Sequence, residues 1–135
     1  MPFSEAERRI EKARRFLTVA QSDLANGYWD TAIARAYYAS FHSAVAYMMC
    51  RQIRPAPKGR WEHAYVQERF LEQTQLAAEE AIGRKLRRLY AARIVADYSP
   101  REMDRSTSIV SVDMGNEIVE FCANEVASVI RGEAK

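Results

Sequence analysis

The stretch GYWDTAIARAYYASFHSAVAYMMC, from Gly27 to Cys50, decides how this chain folds. Apolar and small residues recur along it at three- and four-residue steps, which is the period of one helical face. Most of its other positions carry Ala or Ser, so a neighbouring helix or a second copy of the chain can approach closely. We therefore predict that this stretch forms the central core helix and that a homodimer is built on it and its neighbours.

Two polar residues of this helix are candidates for chemistry. Arg35 and His42 are seven positions apart, about two helical turns, and so share one stripe of the surface. An arginine can stabilise charge on a phosphate and a histidine can carry a proton, which makes them a candidate catalytic pair. In the alternative interpretation, Arg35 pairs with a carboxylate and His42 is a hydrogen-bonded histidine at the core edge.

The rest of the chain shows the same helical period. Ser4 and Glu7 have capping-box spacing and predict a first helix that ends at Asn26-Gly27 and packs antiparallel to the central helix. No segment alternates as a strand would, so we expect one all-α domain over residues 1–135, an up-and-down bundle of about five helices. After the central helix we expect a loop, RQIRPAPKGRWE, and then a helix from about Glu62 to Ala78. A fourth helix should follow a bend at Gly83 and end at Ser99-Pro100. We expect a loop over Pro100–Ser108 and a last helix from about Val110 to Arg131.

Composition and charge limit the class of protein. Apolar residues make up 48% and charged residues 28% of the 135 positions, which is typical of a globular protein. The net charge is only +2, but residues 51–105 hold 12 Lys or Arg against 8 Asp or Glu. This middle part is therefore where we expect a phosphate-bearing partner. The candidate nucleotide- or phosphate-binding residues are Arg54, Arg60, His63, Arg84, Arg87, Arg88 and Arg93.

Several other classes are disfavoured. No apolar run approaches the roughly 18 residues that a membrane span needs, and the first residues do not resemble a signal peptide, so we expect no membrane association. The two cysteines, Cys50 and Cys122, lack metal-ligand spacing, which suits a reducing cytoplasm. We expect a cytoplasmic protein with no metal and no cofactor.

Three strings carry a resemblance to a known family. The first is Ala36–His42, AYYASFH, preceded by Arg35, which resembles the R-x-YYA-x-FH signature of small prokaryotic HEPN-domain proteins. The second is His63 with Val66 before Phe70, which is similar to the H-x-x-V start of a HEPN helix. The third is residues 93–98, RIVADY, near the end of the fourth predicted helix. Together they span most of the chain.

The resemblance implies a function as well as a fold. HEPN proteins of this kind are helical bundles that dimerise through core helices and are commonly paired with a minimal nucleotidyltransferase. In such pairs the HEPN protein can be a metal-independent ribonuclease toxin, and the transferase can silence it by attaching AMP to a tyrosine. By this resemblance Asp97 and Tyr98 are a candidate modification site or site remnant, because Tyr98 stands at a predicted helix end.

The sequence departs from the active members of that family at one point. They carry Arg-x4–6-His late in the bundle, whereas Arg93 is followed at that spacing by Tyr98, Ser99 and Pro100. We therefore favour a non-catalytic dimeric module that binds nucleotide or RNA phosphate, or a partner nucleotidyltransferase, in a toxin–antitoxin-type pair. The alternative is a metal-independent ribonuclease toxin that uses Arg35 and His42. A further alternative is a tetratricopeptide-like adaptor, because residues 24–32 mimic that repeat's spacing.

Overall fold

Five α-helices form the computed structural model, which describes residues 4–56, 59–76 and 80–132. They are α1 (Glu5–Ala25), α2 (Trp29–Cys50), α3 (His63–Leu76), α4 (Glu80–Tyr98) and α5 (Arg105–Ile130). No strand occurs among the described residues, so the predicted all-α bundle of five helices is confirmed. Over the same residues, no helix combines the length and the apolar character that a membrane span requires.

The first two helices form the predicted antiparallel hairpin. Ser4 and Glu7 make the reciprocal capping-box hydrogen bonds, with donor–acceptor distances of 2.9 and 3.1 Å. Gly27 follows α1 with a φ of 77°, a left-handed conformation that glycine adopts without steric cost. The chain then reverses, so that the end of α1 lies beside the first half of α2.

Helix α2 lies at the centre of the bundle and contacts the other four helices. Its small residues are buried by neighbours of the same chain. A Cβ built on Gly115 of α5 would lie 3.2 Å from the carbonyl oxygen of Ala36, so the two helices approach as closely as their backbones permit. The small face of α2 therefore serves packing within the chain, and a homodimer interface must use other surface.

Helix α3 runs in the same direction as α2. Tyr37 contacts His63 at the start of α3, whereas Tyr47, ten residues further along α2, contacts Phe70. Helix α3 therefore begins beside the first half of α2 and not beside its end. Helix α4 then returns antiparallel, because Gly83 packs on the end of α3 whereas Tyr90 contacts its first residue.

Two details differ from the sequence-based predictions. Helix α5 begins at Arg105 rather than about Val110, because the Asp104 side chain accepts from the Thr107 amide at 2.7 Å and caps the helix. Gly83 is not a bend but lies within α4, where an added Cβ would be 3.0 Å from the Leu71 Cα atom. On the same helix, Val95 is 48% exposed. The predicted end of α3 at Ala78 lies outside the described residues.

Candidate functional site

Side chains from α2, α3 and α4 meet in one aromatic and basic cluster. We call it the Tyr–His–Arg cluster and define it by Tyr37, Tyr38, His63 and Arg93. The His63 ring lies with its centroid 5.5 Å from that of Tyr37 and 6.4 Å from that of Tyr38. The Arg93 guanidinium carbon is 5.3 Å from the centre of the Tyr38 ring, within cation–π range. Residues from three separate parts of the sequence thus share one site.

His63 opens α3 and is held by α2. Its Nδ1 atom lies 2.6 Å from the Tyr37 hydroxyl, and its ring packs 4.6 Å from the Phe41 ring, centroid to centroid. Burial, and then the charge of Arg93, lowers the pKa of His63 below its ordinary value of 6.5. The neutral ring is therefore favoured at pH 7.

Tyr37 keeps its proton in this arrangement. The side chain is fully buried, and burial raises the pKa of Tyr37 well above its ordinary value of 10.0. Gln67, a buried residue of α3, offsets a small part of this rise in the pKa. Because it is buried and protonated, the hydroxyl gives His63 a fixed anchor.

Arg93 is held from two directions. Its Nη2 atom donates to the Tyr38 hydroxyl at 2.8 Å. Its Nε atom lies 2.9 Å from Oδ2 of Asp97, which is one helical turn further along α4. The Arg93 side chain is only 15% exposed, so the guanidinium is a fixed positive charge at the edge of the core.

The predicted catalytic residues Arg35 and His42 are each engaged by α1. Nε of Arg35 donates to Oδ2 of Asp23 at 3.2 Å. Nδ1 of His42 lies 3.1 Å from Nη1 of Arg9, and since arginine only donates, Nδ1 is the acceptor and the neutral ring carries its proton on Nε2. Arg35 thus has a carboxylate partner and His42 is a hydrogen-bonded histidine, as in the alternative interpretation of this stripe.

His42 nevertheless lies at the margin of the cluster. Its ring stacks on Phe16 at 5.6 Å between centroids, and Phe16 in turn lies 6.1 Å from Tyr38. Burial, followed by the charges of Lys12, Arg9 and His63, lowers the pKa of His42 to about 4. At neutral pH this imidazole is a weak base, which makes it a poor carrier for the proton of a sugar hydroxyl.

The basic residues of the 51–62 segment lie just before His63. Arg54 and Arg60 are exposed, and the Tyr65 hydroxyl donates to the Arg54 carbonyl at 2.6 Å, which ties the segment to α3. Trp61 and Tyr65 lie 6.4 Å apart, centroid to centroid. The structure thus adds a partly exposed aromatic pair, which the sequence analysis did not single out and whose members flank His63 in the sequence.

The basic residues of α4 do not share one face. Successive residues of a helix are about 100° apart, so Arg84 lies opposite Arg93 and Arg88 is more than a third of a turn away from it. Arg84, Arg87 and Arg88 are exposed, and Arg88 lines a cleft between α4 and α5. The predicted phosphate-binding residues are therefore divided among three places: the Tyr–His–Arg cluster (His63 and Arg93), the chain before α3 (Arg54 and Arg60) and a separate face of α4 (Arg84, Arg87 and Arg88).

Asp97 and Tyr98 also differ from each other in their surroundings. Asp97 pairs with Arg93, whereas Tyr98 at the end of α4 is 75% exposed.

Among the described residues, no group of three or more His, Cys, Asp or Glu is arranged to hold a metal ion.

The fold and the cluster together define a small all-α bundle protein with one basic aromatic site. The model of the HEPN domain matches residues 6–131, and the chain belongs to that family. A relative named "Putative toxin MJ0605", from Methanocaldococcus jannaschii, is 30% identical over 127 residues, which are 90% of this chain and 91% of the relative. The resemblance seen in the sequence is thereby confirmed.

Proposed function

We propose that this HEPN protein acts in a toxin–antitoxin-type pair and binds the phosphates of single-stranded RNA, or of a nucleotide, at the Tyr–His–Arg cluster. The observation that carries the proposal is the fixed guanidinium of Arg93 beside the neutral ring of His63. The relative that is named as a toxin supports the toxin–antitoxin assignment.

The chemistry of Arg93 favours a phosphate ligand. A guanidinium presents a planar fork of donors that matches the oxygens of a phosphate. The contacts to Tyr38 and Asp97 use Nη2 and Nε, and neither uses Nη1. Because Tyr38 accepts from Arg93, the proton of its own hydroxyl can still be donated to a ligand. The site thus offers a charge and an oriented hydroxyl at one place.

The neighbouring aromatic residues favour a single strand. Proteins that bind single-stranded nucleic acid combine a basic groove with aromatic rings on which bases stack. Trp61 and Tyr65 flank His63, the first residue of α3, in the sequence, and the Tyr65 hydroxyl donates to the carbonyl of the exposed Arg54. A strand bound with one phosphate at Arg93 has a stacking surface and further positive charge in the adjacent segment.

We also propose a homodimer and a nucleotidyltransferase partner. Helix α2 is covered within the chain, so it does not offer a dimer surface. The dimer surface we propose is the outer side of α4 and α5, where Val95 is 48% and Val110 46% exposed. The exposed hydroxyl of Tyr98 at the end of α4 is the proposed acceptor of AMP from the transferase.

Fluorescence anisotropy with a labelled single-stranded RNA tests the proposed site. The logarithm of the affinity should fall linearly with the logarithm of the salt concentration. Arg93→Met should weaken binding at least about tenfold and reduce the slope of this line by about 1. Arg14→Met is the matched control, because Arg14 forms an exposed ion pair with Glu120 on α5. Equal affinities for the wild-type protein and Arg93→Met would rule the cluster out as the phosphate site.

A further inference from the structure

We propose that a groove between α1 and α5 is a docking surface for a partner protein, which presents an amphipathic helix with lysine or arginine beside its apolar stripe. We call it the α1–α5 groove and define it by Ile10, Glu11 and Arg14 of α1 with Val126, Ala127 and Ile130 of α5. The inference does not depend on the proposed binding of RNA.

Two apolar cavities meet at Ile130, near the end of α5. The first, of about 340 Å³, lies between α1 and α5, and Ile10 and Val126 are among the residues that line it. The second, of about 300 Å³, lies where α1 begins and α2 and α5 end, and its lining includes Met49 and Val129. Ile130 lines both cavities and is 49% exposed. The surface around it therefore has room for apolar side chains of a partner.

The groove has the length that a helix of a partner requires. It runs along α5 from Ala123 to Arg131, which is about 12 Å at the rise of an α-helix. In an amphipathic helix, apolar residues at positions i, i+3, i+4 and i+7 span about 10.5 Å. Such a stripe is what a helix uses when it binds in an apolar groove. No strand occurs among the described residues, so they offer no sheet edge to which an extended segment could add.

The charges at the groove favour a basic partner. Arg14 lines the groove, but its ion pair with Glu120 offsets its charge. Arg131 is the other cation of the lining. Against it stand three glutamates that line the two cavities, although the whole chain has a net charge of +2: Glu5, Glu7 and Glu11. Lysine or arginine beside the apolar stripe of the partner complements these carboxylates.

The same charges disfavour the other occupants. Nucleic acid and the anionic headgroups of lipids are negatively charged, so the glutamates repel them. A second copy of the chain that docks through an isologous interface brings the same acidic patch against itself. A basic helix of another protein is the occupant that complements both the apolar floor and the charge.

The α1–α5 groove is separate from the Tyr–His–Arg cluster. Within the described part of the chain, α1 contacts α2 and α5 but neither α3 nor α4, which carry His63 and Arg93. A partner in the groove therefore leaves the cluster accessible.

Three labelled peptides of about 15 residues, a length at which isolated helices become marginally stable, are the probes. The first has leucines at i, i+3, i+4 and i+7 spacing and lysines elsewhere. The second has glutamates in place of the lysines, and the third has the composition of the first with its leucines in scrambled order. Anisotropy measures the binding of each peptide to the wild-type protein, to Ile130→Ser and to Glu11→Lys.

Two matched controls accompany these variants. Val19→Ser changes an exposed apolar position of α1 that does not line the groove, and Glu68→Lys reverses a charge at an exposed position of α3. Glu11 forms no ion pair among the described residues, so its reversal breaks none. Circular dichroism confirms that each variant is folded.

We expect only the lysine peptide with the ordered stripe to bind the wild-type protein and the controls. Ile130→Ser should weaken its binding about tenfold, because an apolar contact is lost. Glu11→Lys should weaken it about three- to tenfold by replacing an attraction with a repulsion, and this difference should shrink as salt rises. Both variants should bind RNA as the wild type does, because the cluster lies elsewhere.

The remaining outcomes overturn the proposal. They are the absence of saturable binding of the lysine peptide up to about 1 mM, equal binding of the glutamate or scrambled peptide, and unchanged binding in both variants. Binding to vesicles of phosphatidylcholine and phosphatidylserine that is lost in Ile130→Ser would assign the groove to a membrane. A dimer that becomes a monomer in the same variant would assign it to a second copy of the chain. RNA that fails to bind the wild-type protein overturns only the proposed function.

Discussion

Arg93 and Tyr38 are 55 residues apart in the sequence, and a 2.8 Å hydrogen bond from the guanidinium to the hydroxyl joins them. This bond connects α4 to the tyrosine pair of α2, and it fixes the position of the charge on which the proposed function depends. Tyr37, the other member of the pair, holds His63 in the same way. The two adjacent tyrosines thus hold the two residues of the proposed site from a single turn of α2.

Tyr38→Phe removes the acceptor for Arg93 and leaves the rings in place. We expect the free energy of unfolding to fall by about 1–2 kcal/mol, because a partly buried charged donor loses its hydrogen bond. RNA affinity should fall as well, since the guanidinium is less well oriented. Urea unfolding and anisotropy measure the two effects. Unchanged stability together with unchanged affinity would show that the bond does not hold Arg93 in solution.

The stability of the fold should depend on pH through His42. Its pKa is about 4 in the folded chain against an ordinary value of 6.5, so the folded state favours the neutral ring. The contribution is complete above pH 6.5 and is lost as the pH falls toward 4, because the unfolded chain binds the proton first. We expect the free energy of unfolding to fall by about 1–2 kcal/mol over this pH range. This is less than the full pKa shift implies, because the ring is partly exposed.

His42→Asn tests this pH dependence, since the asparagine oxygen can still accept from Arg9. Denaturant unfolding between about pH 7 and about pH 4 should give a flatter profile for the variant than for the wild type. Parallel profiles would show that groups other than His42 determine the acid sensitivity.

Trp61 should report on bound single-stranded RNA. The chain has two tryptophans, and Trp29→Phe leaves Trp61 as the only one. Stacking of a base on its ring should quench the fluorescence of this variant in a saturable manner that follows the anisotropy. The reverse variant, Trp61→Phe, retains Trp29 at the start of α2 and serves as the control. Equal quenching in both variants would contradict a stacking role for Trp61.

The outer side of α4 can be tested as the dimer surface. Val95→Glu places a charge at a 48% exposed apolar position, and Val19→Glu does the same at a 40% exposed position on α1. If the dimer uses α4, light scattering after size exclusion should show a dimer for the wild type and for Val19→Glu, and a monomer for Val95→Glu. A monomeric wild-type protein at micromolar concentration would contradict the dimer itself.

Gly115→Ala tests the close approach of α5 and α2. The new Cβ would meet the Ala36 carbonyl oxygen and Cβ at 3.2 Å, and both belong to the core. We expect overpacking to lower the free energy of unfolding by about 1–3 kcal/mol. The better helix propensity of Ala partly offsets this effect. Asn116→Ala, at the exposed next position of the same helix, is the control and should stabilise by about 0.5 kcal/mol through propensity alone. A stabilised Gly115→Ala would show that the two helices separate easily.

The sequence is sufficient to predict the helices because each carries a local signal. The capping box at Ser4 and the three- and four-residue period of α2 both depend on residues within a few positions of one another. The predicted start of α5 is about five residues too late because residues 105–108 are polar. Ser108 is in fact buried, with its hydroxyl bonded to the Trp29 carbonyl at 3.1 Å.

The cluster itself could not be predicted in this way. His63 and Arg93 lie on different helices, and nothing in their spacing along the chain indicates that both meet the tyrosines of α2. The Arg35–His42 pair has a regular spacing within one helix, which is why it is conspicuous in the sequence. Only the packing shows that α1 engages both of its members.

The position of His63 beside the first half of α2 determines when the cluster can form during synthesis. Helices α1 and α2 pair through contacts between neighbours in the sequence, so this hairpin can form while the later residues are still inside the ribosome. His63 can contact Tyr37 only once α3 has started to form, and Arg93 follows 30 residues later. A nascent chain that ends before Arg93 therefore carries a folded hairpin but lacks the charge of the site. If the protein is a toxin, the proposed site is therefore completed only late in its synthesis.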